Sequence, residues 1–300
     1  MIKRTQLILL VAVMMLGSIP SAMAADGDFT LWRFCQRDPN TGWCVPEVGN
    51  NTRVQADNAK FSKFTEQLAA VLSPRYHAPA ETLGWSGWNV GFEYTLSDIP
   101  GGEHWDDALE GTERNLTMNP DPDPKKSRSA PNLLNTVQFH VRKGLPFSTE
   151  LGFNVTYLIN SKMYLLGVEG KFAFVEGFEY VPDFAVRMNY SHLFGCDDMD
   201  LDILGWDLSI SKNFGLGGFV QLAPYTGYSL VYSMVGTHVI NPTFDAANND
   251  RLLQLDAQNQ IVHRWFIGLR LIASYFTFAP EITVTNVSVY NYSFNIGADF

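Results

Sequence analysis

From Gly84 to the last residue, apolar and polar positions alternate with period two in segment after segment. Trp88, Val90, Phe92, Tyr94 and Leu96 alternate with Asn89, Gly91, Glu93, Thr95 and Ser97. Val137, Phe139 and Val141 alternate with Gln138, His140 and Arg142, and after Lys143-Gly144-Leu145-Pro146 the same rhythm runs from Glu150 to Tyr157. Further segments surround Glu169 and Lys171, Arg187, Asp207, Arg264 and Arg270, and Glu281, and the last ends on Phe300. Phe219 to Val235 reads as a strand of ambiguous phase, interrupted by Pro224. Period two places successive side chains on opposite faces of a strand. The pattern predicts about ten strands, with twelve as the alternative, each long enough for a tilted crossing of roughly 9–11 residues.

Between Asp26 and Gly84 the alternation is absent. Phe61, Phe64, Leu68, Val71 and Leu72 recur at helical spacing, with Asp57 placed to cap and Ser73-Pro74 placed to stop, so Asp57 to Leu72 reads as an amphipathic helix. Such a helix could plug a barrel mouth or pack on its rim. Residues 1–24 carry Lys3 and Arg4, an apolar run from Leu7 to Leu16 and Ala22-Met23-Ala24, the layout of a cleaved secretory signal. The expected division is therefore a signal peptide over 1–24, a periplasmic N-terminal segment over 25–83 and a barrel over 84–300.

Composition supports a membrane β-barrel. Charged residues make up 17% and aromatics 13%, while the mean hydropathy is −0.05, so the apolar residues are dispersed in alternation and not gathered into helical spans. A net charge of −10 argues against nucleic-acid binding. In an exported chain, Cys35 and Cys44 are close enough to form a disulfide, which leaves Cys196 over. The connections give a second check: if the first strand starts in the periplasm, the long connections at 98–131 and 236–261 both fall outside.

The side facing inward carries both signs of charge: Glu93, His140, Arg142, Glu150, Glu169, Lys171, Arg187, Asp207, Arg264, Arg270, Glu281 and Asp299. These residues would either fill the barrel with ion pairs or line a narrow hydrated path for a small solute. Ten strands lie close to the limit at which side chains fill the interior, which excludes a wide pore. Catalytic chemistry has little support. His192 falls on the outer face near the external end, but no serine faces it, and it reads as an interfacial residue. The acidic run Asp197 to Asp202 has Ile203 where a calcium loop needs glycine, so it reads as a solvated loop. Glu103, His104, Asp106 and Asp107 read the same way. No metal site, cofactor or enzyme activity is expected.

The final "YNYSFNIGADF" resembles the C-terminal assembly signal of bacterial outer-membrane β-barrel proteins, through Tyr290, Tyr292, Phe294, Ile296 and the terminal Phe300. The resemblance implies location in the outer membrane and recognition by the barrel-assembly machinery. It also implies contact with outer-membrane lipid and lipopolysaccharide, and a last strand that closes on the first. Ala78-Pro79-Ala80, behind an N-terminal helix, also resembles the Asn-Pro-Ala element of the long-chain fatty-acid transporter family. Here the Asn is missing, and that family's barrel is larger. The function expected is a narrow passive channel or transporter for small solutes or apolar compounds. The alternative is a non-conducting structural or adhesive barrel that acts through its external loops.

Overall fold

The computed structural model describes residues 27–40, 44–110, 112, 129–217, 219–240 and 251–300. The expected signal peptide, and the Pro-Asp repeat that follows Asn119, lie outside the described residues.

A short hairpin, β1 (Pro46–Glu47) and β2 (Asn50–Val54), precedes helix α1 (Asn58–Leu72). Asp57 caps the helix by accepting from Lys60 N at 3.1 Å. Ser73 leaves it in an extended conformation, as Pro74 requires. The barrel starts with β3 (Trp88–Asp98) and, after the six-residue helix α2 (Glu103–Ala108), continues through β4 (Leu133–Leu145), β5 (Thr149–Leu158) and β6 (Tyr164–Val175). It goes on through β7 (Asp183–Phe194), β8 (Met199–Ser211), the short β9 (Phe214–Leu216) and β10 (Val220–Thr237). The last strands are β11 (Gln258–Ala273), β12 (Phe276–Thr285) and β13 (Tyr290–Asp299).

Leaving aside β9, ten antiparallel strands pair with their sequence neighbours, and β13 pairs with β3 from Tyr290↔Asp98 to Asp299↔Asn89. The sheet is therefore closed, which removes the unpaired edges that an open sheet would expose. β10 is a single strand of 18 residues despite Pro224. Its odd-numbered residues, Tyr225, Ser229, Val231 and Ser233, are buried, which resolves the phase that the sequence left ambiguous.

The outer face is apolar all round. Phe92, Phe153, Val168, Met188, Trp265 and Phe294 stand 43–64% exposed in the middle of their strands. A water-soluble barrel would present polar groups there; a belt of this kind suits a lipid environment. The inner face is polar at mid-height and apolar toward the mouth formed by the long connections, where Leu201, Ile203, Val231, Val235 and Val262 are buried.

That apolar mouth locates the N-terminal segment. Phe61, Phe64, Leu68 and Val71 of α1 join one core with Leu201, Ile203, Val231 and Val262. The segment is tied to the connections of the same mouth by Gly27 N to Asn160 O at 2.8 Å, Leu31 N to Asp198 Oδ2 at 2.9 Å and Gln67 to Val287 O at 3.4 Å. The C-terminus lies at the opposite end, where Trp88 N bonds Phe300 O at 2.7 Å. A periplasmic N-terminal segment and external long connections therefore cannot both hold. The helix sits among the long connections because only that mouth offers its apolar face an apolar wall.

Candidate lumen site

Residues 73–87 run from the end of α1, through the barrel, to the start of β3. Pro74 and Pro79 keep this cord extended and leave its peptide groups without helical partners. Wall side chains take their place. Arg187 Nη1 donates to Arg75 O at 2.7 Å, Arg142 Nη2 to Tyr76 O at 3.0 Å, and Lys171 Nζ to Pro79 O at 3.2 Å and Glu81 O at 2.9 Å. Arg264 reaches Ser73 O and Pro74 O at 3.3 Å each. In return the cord's N–H groups donate to acceptors on the wall: His77 N to Glu281 Oε2 at 2.9 Å, Ala80 N to Ser211 Oγ at 2.8 Å and Leu83 N to Glu150 Oε1 at 2.6 Å. Cations meet carbonyls and carboxylates meet amides, so the wall reads the main chain of the cord.

The wall charges also pair with one another. Arg187 Nε lies 2.6 Å from Asp207 Oδ2, and its Nη1 lies 2.9 Å from Glu169 Oε2. Glu169 also pairs with Arg142, Lys171 with Glu150 at 3.1 Å, and Arg264 with Asp207 at 3.5 Å. His77 of the cord approaches Glu93 at 3.3 Å. Five cations, Arg75, Arg142, Lys171, Arg187 and Arg264, share this interior with five carboxylates, Glu93, Glu150, Glu169, Asp207 and Glu281. Charges this deeply buried persist only when they are paired and hydrogen-bonded.

The structure thus buries eleven of the twelve inward candidates and brings nine of them, Glu93, Arg142, Glu150, Glu169, Lys171, Arg187, Asp207, Arg264 and Glu281, around the cord. His140 stands apart, 2.9 Å from Asn89 Oδ1. Arg270 and the partly exposed Asp299 form a separate pair at 2.6 Å near the C-terminal end. The terminal-strand residues Tyr290, Tyr292, Phe294 and Ile296 point outward, with Phe300 at their end. Cys35 and Cys44 are joined, with Cα atoms 5.5 Å apart.

Sequence reasoning missed the partners that the cord supplies, Arg75, Tyr76 and His77. Tyr76 stacks on Phe266, with ring centroids 5.1 Å apart, and receives the Arg187 guanidinium 4.9 Å above its ring. Also missed were the inward glycines. A Cβ at Gly152 would fall 2.6 Å from Glu169 Cγ, and one at Gly205 would fall 2.5 Å from Asn189 Nδ2, so these glycines let long neighbours lie flat and leave the axis to the cord. The signal was in the sequence, as glycine at inward positions of period-two strands.

A cavity of about 10 Å³ between Tyr76, Ala78, Arg142 and Glu150 has room for at most about one water. Yet Asn154 and Ser191, on the wall beside Gly167, and Asn189, beside Gly205, keep side-chain polar atoms with no hydrogen-bond partner.

The other candidates have structural placements. His192 Nδ1 lies 2.8 Å from Asp202 Oδ1, which also accepts from Tyr190 at 2.6 Å, on the outer wall. In α2, Asp107 is buried against Lys60 at 3.0 Å, and His104 and Trp105 share Gln67 Oε1 at 2.9 and 2.6 Å. Among the described residues no group of three or more His, Cys, Asp or Glu is placed to hold a metal ion.

A closed ten-stranded barrel with an apolar belt and a self-threaded polar interior defines the class: a β-barrel membrane protein carrying its own plug. No family model matches the chain, and no curated protein matches it. Among solved structures it is similar to the N-terminal β-barrel domain of Pseudomonas aeruginosa OprF, at 10% identity and TM-score 0.30, over 72% of this chain and 99% of that one. It is also similar to the KdgM porin, at 8% identity and TM-score 0.32, over 71% and 99%. A third likeness is to Ail, the attachment invasion locus protein of Yersinia pestis, at 9% identity and TM-score 0.27, over 72% and 99%. These identities and scores are too low to carry a ligand or an activity across.

Proposed function

We propose that this chain is a bacterial outer-membrane barrel whose narrow passage for small polar solutes is held shut by its own residues 73–87. One observation carries the reading: the lumen wall binds an extended main chain through exchangeable polar contacts and offers more hydrogen-bonding groups than the cord uses. A barrel that served only as a filled scaffold would gain stability from apolar or fully paired interior groups. The unpartnered side-chain atoms of Asn154, the Ser191 hydroxyl and the free Oδ1 of Asn189 are what a hydrated path would use once the cord moved aside. The Ala78-Pro79-Ala80 element lies in this cord, so any kinship with fatty-acid transporters would concern the plug. The C-terminal strand would serve as the assembly signal and the outer belt as the lipid contact, with lipopolysaccharide around the mouth of long connections. No catalytic step is assigned to the interior.

Planar-bilayer recording tests the reading. The mature chain should be closed at rest, and a chain lacking residues 27–83 should show a small, ion-selective conductance. A truncated barrel that still folds, as judged by heat-dependent mobility in gels, yet neither conducts nor admits solutes into liposomes would favour a non-conducting structural or adhesive barrel.

A further inference from the structure

The outer wall is concave on one side of the barrel. Toward the C-terminal end, from β8 across to β13, a depression of about 710 Å³ is lined by Ile210, Pro224, Ile267, Leu269, Pro280 and Phe294. Its cause lies in the wall. At Gly227 and Gly268 the inner face carries no side chains of its own, and Tyr225 folds across Gly268 so closely that a Cβ there would lie 2.2 Å from its ring. The Tyr225 hydroxyl is held by Glu281 at 3.0 Å. Between β11 and β12 the pairing lapses at Leu269 opposite Pro280 and Arg270 opposite Ala279, then resumes in the same register. Pro280 has no N–H to give to the ladder.

The rim at the C-terminal end carries Lys212. Its ammonium donates to the carbonyls of Phe178, Glu179 and Val181 at 2.8, 2.6 and 3.0 Å. These partners are neutral, and none of the described carboxylates forms an ion pair with it. The site is thus an apolar trough that opens toward lipid, with an uncompensated positive charge at the level where the bilayer meets water.

We propose that this trough binds one acyl chain of an anionic phospholipid from the leaflet at the C-terminal end, with the headgroup phosphate beside Lys212. The Thr226 hydroxyl of the lining is spent on Phe266 O at 2.8 Å and that of Tyr225 on Glu281 at 3.0 Å, so a mainly apolar surface faces hydrocarbon chains that surround the opening at high local concentration. The charge at the rim then selects among headgroups. This inference rests on the barrel lying in a bilayer, and it does not depend on whether the lumen conducts.

The test uses the mature full chain in liposomes of zwitterionic lipid that contain a trace of phospholipid with a photoreactive mid-chain group. Crosslinks are mapped by mass spectrometry. Peptides containing Leu269 and Pro280 should be labelled well above those containing Val168 and Met188 on the opposite wall. An anionic tracer should exceed a zwitterionic one there by about fivefold, and Lys212→Gln should remove that preference. Leu269→Trp, checked for folding by heat-dependent mobility, should abolish the local excess. Equal labelling of both walls would overturn the site, and an unchanged headgroup preference in Lys212→Gln would overturn the role of the charge. Labelling of neither wall would overturn both the site and the placement in a bilayer, whatever the conductance measurements show.

Discussion

Arg187 and Arg75 meet inside the barrel: Nη1 of Arg187 donates to the main-chain oxygen of Arg75 at 2.7 Å, while Nε and Nη1 of the same guanidinium hold Asp207 and Glu169. One side chain thus joins the cord to two carboxylates of the wall. Replacing it takes one of two cations from each acid, leaving Glu169 only Arg142 and Asp207 only the more distant Arg264 at 3.5 Å, and loosens the cord in the same step. Arg187→Ala is expected to destabilise the folded barrel by about 3–5 kcal/mol, the usual cost of breaking a buried pair by removing one member. Urea unfolding in detergent micelles measures it. Arg270→Ala is the control, because Asp299 is 21% exposed and keeps Asn89 at 2.7 Å, so its cost should stay near about 1 kcal/mol. Equal losses in the two variants would mean that the cord-bound network is no more tightly held than a rim pair.

The same residue also bears on whether the lumen opens. If the cord is a gate, Arg187→Ala should raise the frequency of channel openings in planar bilayers, and Arg270→Ala should leave it close to the wild-type level. Opening frequencies unchanged in Arg187→Ala would count against a cord held by the wall arginines.

Orientation can be settled by cysteine labelling, but not with the native thiol. Cys196 is partly buried beside the core of the capped mouth, and burial pushes its pKa up to about 11, so little thiolate is present at neutral pH. Val239, 56% exposed, lies on the side of the long connections and Tyr180, 90% exposed, on the side of the C-terminus, so Val239→Cys and Tyr180→Cys are made singly in a Cys196→Ser background. An impermeant maleimide on intact cells should label the first and spare the second. The reverse pattern would place the N-terminal cap in the periplasm.

The barrel itself was legible in the sequence because lipid outside and polar groups inside impose a strict period of two, seen most clearly from Trp88 to Leu96. Asp57, Ser73 and Pro74 likewise announced the limits of α1. Where the helix docks was harder to read, since its side is set by long-range packing. A trace was present: near the long connections, Leu201 and Ile203, Val231 and Val235, and Val262 break the alternation by being apolar on the inward phase. Residues 73–87 carry no periodicity at all, because a cord held by its main chain leaves its side chains free of a pattern. That is why Arg75, Tyr76 and His77 were missed while their wall partners were found.

The cap has its own pH dependence through His104. Desolvation against Trp105 and Gln67, reinforced by the nearby positive charges of Lys63 and Lys60, lowers its pKa to about 4. The unfolded chain takes up a proton near pH 6.5, where the folded one does not. The stabilisation is therefore fully present above about pH 6.5 and is lost as the pH falls toward 4. Thermal unfolding followed at pH 7.5, 6, 5 and 4 should show the midpoint falling over this window. His104→Gln should flatten that part of the profile, and a profile with the same slope in both proteins would exclude His104 as its source.

Two glycines of one strand separate the demands of the lumen from those of the surface. Gly227 and Gly236 both lie on β10, and neither has a backbone conformation that requires glycine. A Cβ at Gly227 would sit 2.3 Å from the main-chain oxygen of Leu208 and 2.4 Å from the Phe266 ring, and the oxygen belongs to the paired strand and has no room to withdraw. One at Gly236 would meet nothing within 4 Å. Gly227→Ala must therefore push the β8–β10 ladder apart or displace Phe266 from Tyr76, at a cost of about 1–3 kcal/mol. Gly236→Ala should be neutral or slightly stabilising, by up to about 1 kcal/mol, because it reduces only the freedom of the unfolded chain. Unfolding midpoints in the same detergent decide the matter. A Gly227→Ala protein as stable as its Gly236→Ala counterpart would show that the inner wall can yield, and that the close approach of β8, β10 and β11 around the cord is not what that glycine provides.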